Sequence, residues 1–202
     1  MMFCMTFVPE PLRRWFIFGF RALLVGAIAV FGLVWLANRN YPHGRDHCCD
    51  KQVGLALLNY AQANGGRFPT GGATPEASLG LLYPEYLDAS VLRGKTYPEE
   101  PAKQLLESGK PLTPETCGWH YVDGLTLPNG GSSRIAIFWD KIGLGHNSEY
   151  LPSPGHSVTF MDAHGKVIWE SDWPRFIADQ EKAWDAIRRG ESPPMPWVPD
   201  EP

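Results

Sequence analysis

An α+β domain carried behind one apolar helix is the architecture that this 202-residue chain predicts. Three observations predict it. Residues 15–37 form a 23-residue stretch with a single charge, Arg21. Residues 50–64 repeat apolar side chains at the helical period, and four short β-rich runs crowd the chain after residue 117. The aromatic share of 12% excludes a disordered chain, and a net charge of −4 argues against an electrostatic nucleic-acid binder. No nucleic-acid partner is therefore expected.

A helix over 15–37 reaches roughly 34 Å, enough for a hydrocarbon core. Gly19, Gly26 and Gly32 are tolerated in such a helix. Arg21 lies near its amino end, where a long stem carries the guanidinium back to the headgroups. Trp15 and Trp35 sit where interfacial aromatics belong. A buried core helix and a cleaved signal peptide are the alternatives. Ala37 after Trp35 and Leu36 makes a poor small-x-small cleavage site, so a retained anchor touching lipid through 15–37 is expected. The short tail, 1–14, is expected on the cytoplasmic side and the remainder exported. The charge divides accordingly, +2 up to residue 37 (three Arg, one Glu) and −6 beyond it (15 basic, 21 acidic).

Pro42 and Gly44 mark 38–47 as a linker. The domain proper is read at 48–190. Val53, Ala56, Leu57, Tyr60 and Ala61 then recur at helical spacing, Leu55 and Leu58 widen that face, and Asn64, Gly65 and Gly66 supply a stop. Residues 67–94 are turn-rich, with a short helix around Pro75–Leu82, and a further short helix is read in 99–108. Strands are read at 118–124, 134–140, 156–162 and 166–171. The last two are joined by a tight turn at Ala163, His164 and Gly165, with Val158 and Phe160 set against Val167 and Trp169. In that turn Asp162 caps local amides and Gly165 takes a positive φ. An amphipathic helix over 173–190 closes the domain, and the Pro-rich tail 191–202 is read as flexible.

His43, Asp46, His47, Cys48, Cys49 and Asp50 are metal-ligand types gathered in eight residues. Adjacent cysteines chelate one ion poorly, however, so a linker is the simpler reading. In an exported domain one of Cys48 and Cys49 can pair with Cys117. The bridge carried forward is Cys49–Cys117, with three ordinary thiols as the alternative. There is no nucleophile elbow and no phosphate-cradling glycine loop, so neither an enzyme nor a cofactor is expected.

The run DKQVGLALLNYAQANGGRFP (50–69) resembles that of bacterial type IV pilin-like and type II secretion pseudopilin-like (G-type) membrane proteins. The resemblance rests on Lys51, Gln52, Val53, Gly54, Leu55, Ala56, Leu57, Tyr60, Ala61, Asn64, Gly66, Phe68 and Pro69. LLYPEYLDASVL (81–92), CGWHYVDGLT (117–126) and HSVTFMDAHGKV (156–167) are similar to later segments of that group. Asp162 and His164 match in the last of these, while Ala163 stands where the group has Gly. Gly19–Phe20 corresponds to a degenerate prepilin site, because Arg21-Ala22-Leu23-Leu24 follows and the group's glutamate is absent. This chain is accordingly expected not to be processed as a prepilin.

The resemblance implies a pilin-like α+β domain on a bacterial inner-membrane anchor, acting by protein–protein contact in the periplasm. Its partners would be other pilin-like or secretion-machinery proteins. A pseudopilin subunit of a secretion or pilus-like assembly is the first alternative. A membrane-tethered hydrolase or metal binder using Asp140, His146, His156, Asp162 or His164 is the second. Calcium is kept as a minor expectation, since secretion pseudopilins bind it, with Asp140 and Asp162 as candidates.

Overall fold

The computed structural model describes residues 9–40, 50–127, 133–145 and 148–199. It divides into two compact units, residues 1–40 and 41–202. The first is a single helix, α1 (Glu10–Asn40), longer at both ends than the apolar stretch requires. Pro11 in its first turn needs no amide donor, so the helix can begin there. Its span Arg13–Arg39 is long and apolar enough to cross a membrane, and none of its apolar window is buried. Anchors and signal sequences share that property. Gly19 and Phe20 lie inside the helix, and Phe20 is exposed.

The second unit is α+β. It contains α2 (Asp50–Ala63), α3 (Pro75–Leu79) with a 3-10 turn over Gly80–Leu82, α4 (Ala89–Leu92) and α5 (Glu99–Glu107). Then come β1 (Trp119–Tyr121), β2 (Ala136–Asp140), β3 (Gly155–Phe160), β4 (Gly165–Trp169) and α6 (Trp173–Arg188). The four strands form one antiparallel sheet in sequence order. Helix α2 stops where Asn64 and the glycines predict, with Gly65 and Gly66 at φ 64° and 85° and the Gly66 amide donating to Ala61 O. Helix α4 lies in the segment read only as turns.

Alternation in β3 divides the molecule. Ser157 and Thr159 face α2, while His156 and Phe160 face α6 through Trp173 and Phe176. Because both faces are covered, β3 is buried at nearly every position and does not show a half-buried pattern. The core joins Leu57, Phe68, Trp119, Phe138 and Phe160 to Phe176.

Five readings need correction. Leu55 is 47% exposed and does not widen the buried face of α2. The β3–β4 turn comes two residues earlier than expected: the Phe160 amide donates to His164 O, leaving Met161–Asp162–Ala163 as the loop. A three-residue loop places its last residue in the left-handed region, so Ala163 has φ 66° and Gly165 is an ordinary strand residue. The shifted register sets Val158 opposite Lys166 and Val167 opposite Ser157, so Ile168 becomes the buried residue of β4. Finally, the tail through residue 199 packs onto the domain, with Val198 buried and Trp197 against the core.

Candidate functional site

The most unusual chemistry is a buried ion pair at the start of α2. Lys95 Nζ lies 2.7 Å from Asp50 Oδ1, and both side chains are almost wholly shielded from water. Lys95 also donates to Gly145 O at 2.9 Å and stands 5.4 Å from the centre of the Trp119 ring. Ser157 Oγ donates to Asp50 Oδ2 at 2.7 Å. A bare charge in this setting would be costly, and the carbonyl, hydroxyl and ring together compensate it. Asp140 belongs to the same region. Its Oδ1 accepts from the Ile142 amide at 2.7 Å, and burial raises its carboxyl above the usual range, with Lys95 opposing.

Beside this pair a cleft of about 410 Å³ opens between α2 and the β3–β4 hairpin, lined by Lys51, Ser157, Thr159, His164 and Lys166 among others. Asp162 Oδ1 accepts from the His164 amide at 3.2 Å and holds its Nδ1 at 2.5 Å. The imidazole also stacks on Phe160 at 4.5 Å. Such a carboxylate–histidine pair orients a ring. The Ser157 hydroxyl, in the same cleft, donates to Asp50 and not to His164. Asp162 caps the turn as its sequence position predicts.

Of the remaining residues of the resemblance, Gly54, Tyr60, Phe68 and Pro69 serve packing. Gly54 lets α2 close on the hairpin, since a Cβ there would stand 3.0 Å from both Ala163 Cβ and Thr159 Cγ2. Tyr60 meets Tyr86 edge-on at 5.5 Å, and Asn64 Nδ2 donates to Tyr60 O at the helix end. The Phe68 amide donates to Leu125 O, and Pro69 O accepts from Tyr121 Oη at 2.7 Å. Lys51 and Gln52 are exposed.

Of the alternative catalytic or metal set, the structure brings Asp162 and His164 together and sets His156 beside the Asp140 backbone. His156 Nδ1 stands 3.4 Å from the backbone carbonyl of Asp140, its Nε2 lies 3.9 Å from Glu170 Oε2, and the ring packs on Trp173. Among the described residues no three His, Cys, Asp or Glu side chains converge to hold an ion. His146, the His43–Cys49 run and most of the 38–47 linker lie outside the described residues. Cys117 is a free, buried thiol that donates to Leu92 O, and burial pushes it up to about 12. Its expected partner, Cys49, also lies outside the described residues.

Lys95 carried no sequence signal. It follows a glycine in a turn-rich segment and lies 45 positions from Asp50, so no local periodicity links the two. No family model, curated protein or solved structure matches this chain.

Proposed function

We propose that this chain is a single-pass membrane protein presenting an exported, pilin-like, non-enzymatic domain that works through protein–protein contact. One observation carries the reading. Helix α2, with the Gly54 and Phe68–Pro69 features of the resemblance, lies across an antiparallel sheet shortly after a helix fit to span a membrane. The hydroxyl of Ser157 is committed to Asp50, which favours contact over catalysis. The proposed setting is a bacterial inner membrane with the domain on the periplasmic side.

Carbonate washing of membranes tests the anchor. Retention in the pellet is expected, and release into the wash overturns it. Protease added to spheroplasts should degrade the domain, whereas protection would reverse the topology. Intact-mass measurement should find residues upstream of Phe20 retained; a mature terminus at Phe20 would instead place the chain among processed prepilins. Co-purification with pilin-like or secretion components is the expected partner result, and a solitary monomer in cells making that machinery counts against it.

A further inference from the structure

We propose that the α6–β4 side of the domain is a recognition groove for an extended Pro-Trp-Val-Pro segment. Residues 196–199 fill it in cis, and the same segment of a second copy fits it in trans. Residues 192–199 make no backbone–backbone hydrogen bond among the described residues. Side chains from two other elements hold the segment instead. The Arg175 guanidinium of α6 lies 4.0 Å over the Trp197 ring, and Lys166 Nζ of β4 donates to Pro199 O at 2.5 Å. The Trp197 backbone amide faces the Asp179 carboxylate, which Lys182 chiefly holds below its ordinary range. Pro196 and Val198, which flank Trp197 in the chain, are buried. An extended, proline-rigid peptide with an aromatic anchor docks in this manner.

The approach to the groove is loose by comparison. Gly190 sits at φ 74° with open space where a Cβ would project. Pro193–Pro196 then border a cleft of about 440 Å³ across from Ile187, and Met195 is 81% exposed. Every recognised feature belongs to 196–199, and no ladder ties 192–199 to its own domain. Exchange between two copies would therefore keep each contact and alter only the path from Gly190. The inference does not depend on the pilin-like reading or on the anchor.

Two measurements on the full chain in detergent micelles test it. A labelled peptide of sequence ESPPMPWVP should bind Trp197→Ala protein at least tenfold more tightly than wild type, whose own tail competes. Adding Arg175→Ala to that variant should remove the gain, and equal binding to all three proteins overturns the groove. A photo-crosslinking residue at the exposed Met195 position needs no disruptive change. Covalent dimers that disappear with Arg175→Ala are expected. Intrachain products alone overturn the second copy as occupant.

Discussion

The two faces of the sheet are closed by different physics. On the α2 face, the Asp50–Lys95 pair and Ser157 meet in the interior, and Gly54 allows backbone-close packing. On the α6 face, Trp139 lies among Trp173, Trp184 and His120 at ring distances of 5.6, 6.0 and 5.5 Å. There the polar work falls to Gln180, whose Oε1 accepts from the Ala136 amide at 2.9 Å while Nε2 donates to Arg134 O at 2.8 Å, and to Trp184, whose Nε1 donates to Ala136 O at 2.8 Å. One face thus depends on charges that must remain paired, the other on aromatic area and a few neutral hydrogen bonds. The difference teaches that the first should fail abruptly when one partner is lost and the second by increments.

Lys95→Met should show the largest effect. It strands the Asp50 carboxylate indoors at a cost of about 3–5 kcal/mol, read by denaturant unfolding of the full chain in micelles. Adding Asp50→Asn should recover part of the loss, with a coupling of about 0.5–3 kcal/mol. Strict additivity would show that the pair does not act as a unit. Gln180→Leu should follow at about 2–3 kcal/mol, because it orphans the buried Ala136 amide of β2 and also frees the Arg134 carbonyl just before that strand. A cost near zero would mean that water replaces the amide and that the faces differ less than described.

Gly54→Ala comes next, at about 1–2 kcal/mol, since overpacking exceeds the gain in helix propensity. Its cost should shrink in an Ala163→Gly background, which removes the facing Cβ. Alone, Ala163→Gly should stabilise by about 0.5–1 kcal/mol, by relieving a left-handed alanine. Destabilisation would show that the methyl's packing outweighs the strain.

The last comparison reads a slope. Asp140 holds its proton more tightly folded than unfolded, so its contribution to stability falls as pH rises from the ordinary Asp range through its raised value. Asp140→Asn lacks that slope, so the variant should gain on wild type over the same interval in pH-dependent melts. Parallel curves would remove the carboxylate from the account.

Legibility followed the range of the forces. Helix α2, its glycine stop, α6 and the four strands were readable because period and turn chemistry are local. The β3–β4 turn was misplaced by two residues because Gly165 drew attention from Ala163, whose conformation follows from loop length. The docking of the tail depends on Arg175 and Lys166, which look like ordinary surface cations in sequence. Of the candidate site, Asp162 and His164 could be found as neighbours. Asp50 with Lys95 could not, because only tertiary closure joins them.

The Asp50–Ser157 bond also has a mechanical meaning. Asp50 begins α2, and its carboxylate is fastened to β3, an interior strand paired on both sides. Tension arriving along the chain from upstream would meet this fastening before reaching the rest of the helix. It would then pass into a strand that must be sheared against two neighbours, not into an edge that could be unzipped one rung at a time. A domain entered in this way is suited to being pulled.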